Sequence, residues 1–405
     1  MPAFPTYGPE GIAALDKQAD TILAVFAARG YTRHEPSILQ PAQIFVDRSG
    51  EEIRRRTFEL TDPSGRELCL RPDLTIPTCE WQVENGKSYP ARLCYHGLAF
   101  RHRPPAPPKG SAAASETPMA RRSFSEGGGD GPTQFYQAGA ELLGLQDHAA
   151  GDVEMMALAV EALRAAGLAE FEMKLGDLGL FATLVDALEV PAQWRGRLKR
   201  HFWRAGYFDA LLARMVAGAV SDAERAIDAL HGLGAAHLRP AIEALLDKQG
   251  DAPLGARTRE EIVERLMIQA ADGAAPKLDA KVAETITRVL EVSGPAPGAL
   301  EQIRTLTKTV AAKMEKPLAA MEARLAALKS LGVDPASVRF VAHFGRNLEY
   351  YTGFVFEFWS RGGVEIAGGG RYDTLMESLG APRGTTAIGC AIRSERLLAA
   401  TGGGR

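Results

Sequence analysis

The chain of 405 residues is poor in cysteine and in aromatic residues, and its net charge is small. Its four cysteines, at positions 69, 79, 94 and 390, form no C-x-x-C pair and no zinc-type spacing, so we expect reduced, buried thiols. The 47 basic and 50 acidic residues leave a formal charge of −3. This balance disfavours a protein that binds nucleic acid through its phosphates.

Long hydrophobic runs and export signals are also missing. No run approaches the length of a membrane span, and the first residues lack a basic region followed by an apolar core. We therefore expect a cytoplasmic protein without a membrane partner. None of the eight histidines belongs to an H-E-x-x-H motif, so no metal hydrolase site is expected. A hydrophobic content of 46% is ordinary for a globular chain, and the length predicts two or three domains.

Strand signals in both terminal parts of the chain enclose a helical stretch, which predicts an α+β fold. Apolar residues at helical spacing predict a helix over 12–26, with Gly30 as its stop. Alternating or β-rich patterns predict strands at residues 31–39, 57–61, 67–71, 92–101, 134–143, 170–175, 338–344, 350–359 and 364–367.

Composition divides the chain into regions. Residues 1–180 and 335–400 are expected to form one discontinuous core, and residues 181–334, rich in Ala, Leu, Arg and Glu, a mainly helical insertion. Residues 104–132 are rich in Pro, Ala, Ser and Gly and are predicted to be a flexible loop. Within the insertion, an apolar stripe at helical spacing predicts core packing and consists of Leu318, Met321, Leu325 and Leu328.

The predicted strand 134–143 carries polar groups on one face only. Gln137, Gly139 and Glu141 share that face, because side chains alternate along a strand. Such a face is either a solvated sheet surface or the floor of a ligand pocket. In a pocket, the glycine would let a ligand approach the backbone, and the carboxamide and carboxylate would hydrogen-bond it.

Other polar residues could complete such a pocket. A carboxylate such as Asp73 or Glu141 could hold an ammonium group, and a guanidinium such as Arg101 or Arg346 could hold a carboxylate. Together these residues would form an amino-acid site. The glycine-rich segment 368–373 fits neither phosphate-binding motif, so its glycines are expected to allow a close approach of ligand or strand.

Six short motifs occur in the order of a known family, and through them the chain resembles the catalytic core of histidyl-tRNA synthetase, a class II aminoacyl-tRNA synthetase. The resemblance covers residues 5–180 and 335–400 and implies the class II fold, an antiparallel sheet flanked by helices. The motifs are L-R-P-D at 70–73, F-R-H-R-P at 100–104, Q-F-Y-Q at 134–137, R-N-L-E-Y-Y-T-G at 346–353, G-G-G-R-Y-D at 368–373 and S-E-R-L at 394–397.

Two functions exist within that family: the synthetase itself, and the regulatory subunit of ATP phosphoribosyltransferase, which keeps the fold but not the aminoacylation. Only eight residues follow Leu397, where a synthetase continues into an anticodon-binding domain. Arg103 replaces an acid that contacts ATP in synthetases, and the loop 104–132 would be costly to order over a nucleotide. Arg393 stands where a glycine leaves room for the nucleotide, although the motif-3 arginine, Arg396, is kept. These features favour the regulatory function.

The resemblance also implies that the amino-acid half of the site is preserved. Asp73 stands where the family has a glutamate that holds the α-amino group, and Gln137 and Glu141 match contacts to the substrate's backbone groups. The segment 346–353 matches the histidine-specific motif. We therefore predict a histidine-binding site, with no catalytic residue, cofactor or metal, that consists of Asp73, Arg101, Gln137, Glu141, Arg346, Tyr350 and Tyr351.

The resulting prediction is a non-catalytic regulatory subunit that supports the first step of histidine biosynthesis and mediates feedback by histidine. Its implied partners are a short-form ATP phosphoribosyltransferase catalytic subunit and a second copy of itself within a hetero-oligomer, without tRNA. The alternative is a histidyl-tRNA synthetase-like adenylating enzyme that lacks the anticodon domain. A third hypothesis is a degenerate synthetase-like binding protein with an unrelated partner.

Overall fold

The structure, a computed structural model, describes residues 6–48, 56–86, 88–102, 133–202, 205–217, 239–240, 242–244, 263, 277–344 and 350–402. The chain divides into two compact units, Met1–Thr183 with Val289–Arg405, and Leu184–Arg288. The predicted loop 104–132 lies outside the described residues.

The described strands form one large sheet and one small sheet. In chain order they are β1 (Thr32–Arg33), β2 (Leu39–Pro41), β3 (Phe58–Thr61), β4 (Glu67–Leu70), β5 (Ala91–Phe100), β6 (Gln134–Leu143), β7 (Glu172–Asp177), β8 (Ser293–Pro295), β9 (Val338–Val341), β10 (Phe354–Trp359), β11 (Glu365–Arg371) and β12 (Ala387–Arg393).

The large sheet has nine strands in the order β1-β5-β6-β12-β11-β10-β7-β9-β8. The pairs β1–β5 and β7–β9 are parallel, and the other neighbouring pairs are antiparallel. Strand β6 has the bounds that its alternating pattern predicts, and it lies between β5 and β12. A mainly antiparallel sheet with helices around it confirms the predicted α+β class.

The described helices are α1 (Pro9–Ala28), α2 (Ala42–Arg48), α3 (Thr75–Asn85), α4 (His148–Ala165), α5 (Leu178–Ala187), α6 (Ala192–His201), α7 (Ala205–Ala217), α8 (Ala280–Leu290), α9 (Ala296–Leu306), α10 (Ala311–Ser330), α11 (Asp373–Ser378) and α12 (Ser394–Ala400). The opening helix is confirmed: α1 buries Leu15, Ile22 and Phe26, and Gly30 follows it with φ of +80°. The apolar stripe of α10 is confirmed as core, because all four of its residues are buried.

The predicted strand 31–39 is two short strands in different sheets. Strand β1 pairs with β5, whereas β2 pairs with β4 in the small sheet. Pro36 lies between them, and its carbonyl oxygen accepts a hydrogen bond from Arg71. A proline has no N–H for a ladder, so one continuous strand is interrupted there.

The predicted insertion 181–334 also differs from the structure at its C-terminal end, because residues 289–334 belong to the first unit. Strand β8 pairs with β9 of the large sheet, and Arg324 of α10 forms an ion pair with Asp152 of α4. An Ala- and Leu-rich composition predicts helices, but it does not say which helices cover a sheet. In the second unit, the regular structure of the described residues is helical.

The glycine-rich segment 368–373 lies mostly in strand rather than in a loop. Gly369 belongs to β11, and a β-carbon there would collide with the carbonyl oxygen of Gly389 on β12. Glycine therefore permits a close approach of neighbouring strands. Within the described part of the chain, no helix has the length and apolar character needed to cross a membrane.

Candidate functional site

The polar face of β6 is buried. Gln137 is 3% exposed and Glu141 is 1% exposed, because β5 and β12 flank β6 on both sides and other elements cover its face. The solvated-surface interpretation of this strand is therefore wrong. Burying a carboxylate and a carboxamide requires hydrogen-bond partners, and the structure supplies them.

Gly139 makes room for a tyrosine. It lies directly opposite Tyr95 of β5, and a β-carbon on Gly139 would meet the Tyr95 ring at 2.5 Å. The sequence predicted that this glycine admits a ligand to the backbone, and that interpretation is wrong, because the phenol ring occupies the space. Sequence reasoning missed Tyr95, although a glycine paired with an aromatic residue across two strands is the signal that could have found it.

The hydroxyl group of Tyr95 joins the two polar residues of the strand. It donates to Glu141 Oε1 at 2.8 Å and accepts from Gln137 Nε2 at 3.2 Å. Thr75 Oγ1 of α3 lies 3.3 Å from the same oxygen. A single phenol oxygen therefore holds the carboxylate, the carboxamide and a threonine hydroxyl in one hydrogen-bonded network.

The second oxygen of Glu141 is also bonded. Tyr372, directly after β11, donates its hydroxyl to Glu141 Oε2. Gly389 of β12 pairs with Glu141 in register, and a β-carbon there would collide with this carboxylate oxygen. Burial raises the pKa of Glu141 to about 7, although both tyrosine hydroxyls favour its ionised form. A buried carboxylate with a pKa so near neutrality is typical of a functional position.

Asp73 is the second buried acid of the site. It precedes α3 and is 1% exposed, and its Oδ1 accepts a hydrogen bond from the Ile76 amide at 3.3 Å. Within the described residues, its Oδ2 has no hydrogen-bond partner. Burial raises the pKa of Asp73, and the positive charges of Arg101 and Arg393 oppose that rise. A bare, buried carboxylate oxygen is suited to an N–H donor of a ligand.

Arg101 lies close to Asp73 and is itself buried. Its Nε donates to the carbonyl oxygen of Pro72 at 2.8 Å, so the backbone just before Asp73 fixes the guanidinium. Its positive charge opposes the rise that burial causes in the pKa of Asp73. This guanidinium could pair with the carboxylate of an amino acid.

Three tyrosine rings form a wall beside Glu141. The ring centres of Tyr350 and Tyr351 are 4.8 Å apart, and Tyr350 packs edge-on against Tyr372 at 5.6 Å. All three are buried. The structure thus brings together six of the seven predicted site residues, and the seventh, Arg346, lies outside the described residues.

The two arginines that the resemblance places on the nucleotide side of the site, Arg393 and Arg396, both make contacts within the protein. The guanidinium of Arg393, at the end of β12, lies over the ring of Phe135 on β6. Arg396 donates to the carbonyl oxygen of Glu365 at 3.0 Å and is thereby tied to β11. A cavity of about 660 Å³ is lined by these arginines and Phe135, among others. Arg103, the other predicted change, lies outside the described residues.

The buried side chains of Asp73, Gln137 and Glu141 are called the floor of the site below. The fold and this floor define a class II protein of the histidyl-tRNA synthetase type. A family model described as histidyl-tRNA synthetase matches residues 4–267 and 241–397. A structure described as an ATP phosphoribosyltransferase regulatory subunit/histidyl-tRNA synthetase from Bacillus halodurans has a TM-score of 0.65 at 23% identity, covering 98% of this chain and 82% of that one. Histidyl-tRNA synthetase from Nostoc sp. PCC 7120 has a TM-score of 0.59 at 16% identity, covering 98% of this chain and 74% of that one.

Curated relatives show to which family within this class the chain belongs. A protein of Agrobacterium fabrum is 33% identical over 388 residues, 95% of this chain and 96% of the relative. A protein of Brucella anthropi is 34% identical over 373 residues, 90% of this chain and 91% of the relative. Both are named ATP phosphoribosyltransferase regulatory subunit. The chain belongs to the family of ATP phosphoribosyltransferase regulatory subunits.

Proposed function

We propose that this chain is the non-catalytic regulatory subunit of an ATP phosphoribosyltransferase complex in the cytoplasm. It assembles with a separate catalytic chain that transfers a phosphoribosyl group to ATP, a glycosyl transfer that begins histidine biosynthesis. The catalytic groups belong to that partner. The present chain supports the activity and makes it responsive to histidine.

One observation carries this proposal beyond family membership: Gln137 and Glu141 are held in a buried hydrogen-bonded network, whereas the aromatic ring of Phe135 on the same strand is covered by an arginine. Glu141 has hydrogen bonds to both oxygens, but Arg393, which by resemblance takes the place of a glycine that leaves room for the nucleotide, lies over the ring of Phe135. A site that adenylates an amino acid must hold ATP and amino acid together. The covered ring therefore supports a binding role and disfavours the alternative of an adenylating enzyme.

Histidine fits the chemistry of the floor. Its ammonium group and its ring N–H are donors, and the acids Asp73 and Glu141 offer buried acceptor oxygens. Its carboxylate suits the guanidinium of Arg101, and Arg346 is the further candidate that the sequence suggests. Feedback requires that histidine bind two states of the assembly with different affinity, typically by about 1–3 kcal/mol.

The small sheet supports self-association. Its open face carries apolar side chains on all three strands, and Leu39 and Leu60 are 47% and 40% exposed. On its opposite face, Cys69 packs on the core. An exposed apolar face of this kind is typical of a protein interface, and we assign it to a second copy of the chain. Leu60→Glu should then shift the mass measured by light scattering from dimer to monomer, and an unchanged mass would contradict the assignment.

Mixing the purified chain with the catalytic chain tests the proposed function. The mixture should co-elute as one complex and form phosphoribosyl-ATP faster than the catalytic chain alone. The chain alone should not exchange pyrophosphate into ATP when histidine is added. Robust histidine-dependent exchange, together with no effect on the transferase, would support the adenylating alternative instead.

A further inference from the structure

We infer that Tyr95 is a positioning residue that turns the floor of the site into a surface of acceptor oxygens, so that a ligand is selected by its N–H groups. The inference rests on the proposed binding of histidine at this floor and deepens it. It assigns a role to a side chain that bonds two predicted ligand residues and lies outside the six sequence motifs.

The Tyr95 hydroxyl has a single proton, and its position determines the roles of its neighbours. A phenol has one hydrogen to donate, and an ionised carboxylate can only accept. The contact of 2.8 Å from the Tyr95 oxygen to Glu141 Oε1 therefore uses that hydrogen. The same oxygen keeps its lone pairs for donors, and the amide nitrogen of Gln137 lies 3.2 Å from it.

This arrangement fixes the orientation of the Gln137 amide. With Nε2 directed at Tyr95, the carbonyl Oε1 is the atom left for a ligand. If the amide turned over, Oε1 would face a phenol oxygen whose hydrogen is already committed to Glu141, and two acceptors would oppose each other in a buried site. Tyr95 thus determines that Gln137 acts towards the ligand as an acceptor.

The neighbouring groups are also hydrogen-bond acceptors. The hydroxyl of Tyr372 donates to Glu141 Oε2, so this carboxylate is also held as an acceptor. Asp73 Oδ2 is buried and, within the described residues, has no hydrogen-bond partner. The three side chains present acceptor oxygens, and a ligand with an ammonium group and a ring N–H satisfies them. An analogue that lacks one of these donors leaves a buried acceptor unpaired, which polar sites reject strongly.

The substitution Tyr95→Phe tests the inference, because it removes the hydroxyl and keeps the ring over Gly139. Affinity would be measured by calorimetry for histidine, for β-(4-thiazolyl)alanine, whose ring has no N–H, and for imidazolepropionate, which has no amine. The wild-type chain should prefer histidine to each analogue by roughly tenfold or more. Tyr95→Phe should bind histidine about tenfold more weakly, and at least one of the two preferences should shrink about fivefold, because the Gln137 amide is free to turn.

Two further variants separate positioning from folding. Tyr31 donates its buried hydroxyl to Glu154 at 3.0 Å, so Tyr31→Phe loses a similar hydrogen bond elsewhere and should leave both preferences unchanged. Tyr372→Phe removes the other donor to Glu141 but keeps the bond from Gln137 to Tyr95. It should weaken histidine binding and keep the preferences.

A measurement on the wild-type chain covers the case in which Tyr95→Phe does not fold. The side-chain amide hydrogens of Gln137 should exchange slowly with solvent, since one of them is bonded to Tyr95 inside the core. Fast exchange would overturn the inference. Unchanged preferences in a folded Tyr95→Phe variant would overturn the inference alone, whereas no histidine binding by the wild-type chain would overturn the proposed effector as well.

Discussion

The guanidinium of Arg393 lies 3.7 Å from the centre of the Phe135 ring. An arginine at this distance over an aromatic face makes a cation–π contact and excludes another planar group from the same face. The two residues stand at the ends of the neighbouring strands β12 and β6, beside Gln137. By resemblance, arginine stands here in place of a glycine, and it covers one face of the Phe135 ring beside the proposed amino-acid site.

Arg393→Gly should reopen that surface. Base–aromatic stacking contributes about 1–3 kcal/mol, so the variant should bind adenosine roughly tenfold more tightly than the wild-type chain. Adenosine is the chosen probe because it carries no phosphate charge. Arg361→Gly is the matched control, since Arg361 lines the same cavity but pairs with Glu170 away from the ring. Equal adenosine affinity in all three proteins would show that Arg393 does not block stacking.

Glu141→Ala should weaken histidine binding by about 2–5 kcal/mol, as for the loss of one member of a buried, hydrogen-bonded charge pair. Calorimetric titration measures this directly. Glu154→Ala is the control, because Glu154 of α4 also accepts a hydrogen bond from a tyrosine, but its other partner is Arg92 and it does not belong to the polar face of β6. If the two variants bind histidine equally well, the floor of β6 is not the binding site.

Histidine affinity should rise between pH 6 and pH 8. Burial raises the pKa of Glu141 to about 7, and a ligand N–H or ammonium favours the ionised carboxylate, so binding competes with a proton below that pKa and not above it. The groups that act on Glu141 include Asp73, Thr75, Tyr95, Tyr350, Tyr372, Cys79 and Cys390.

A calorimetric pH series checks the sign of this dependence. The imidazole of free histidine also titrates near pH 6.5, so Glu141→Gln serves as the reference that keeps the ligand's titration and Asp73. The difference between the two profiles should be a rise centred near pH 7. Parallel profiles would mean that Glu141 does not change its protonation on binding.

Gly139→Ala should destabilise the first unit and impair the site together. The new β-carbon would meet the Tyr95 ring at 2.5 Å, and overpacking of this kind costs about 1–3 kcal/mol. Gly298→Ala is the control: Gly298 lies in α9 with open space around it, so alanine should stabilise by about 0.5–1 kcal/mol. Urea unfolding measures both changes. A neutral Gly139→Ala would contradict the packing of Tyr95 on β6.

The sequence predicts local features well where one pattern determines them. The bounds of β6 follow from alternation, and the buried stripe of α10 follows from helical spacing. Contacts between distant segments were not predictable in the same way. The interruption at Pro36 depends on two different sheets, and the membership of residues 289–334 in the first unit depends on pairing of β8 with β9.

The functional site shows the same difference between local patterns, which the sequence predicts, and contacts between distant segments, which it does not. The resemblance identifies Asp73, Gln137 and Glu141, but the role of Gly139 depends on the side chain opposite it on β5. A strand pattern says which face a residue is on and does not say what fills that face. The network of Tyr95 and Tyr372 therefore becomes visible only when the strand register is known.

The central claim is that histidine binds at the floor of the site, on β6, and thereby changes the activity of a catalytic partner. The most direct test is to reconstitute the transferase with the wild-type chain or with Glu141→Gln. The rate of phosphoribosyl-ATP formation would be followed as histidine is added. We predict that both chains raise the basal rate, and that histidine inhibits the wild-type complex at concentrations at least tenfold lower than those needed for the variant complex. Identical inhibition curves, or no activation by either chain, would contradict the account.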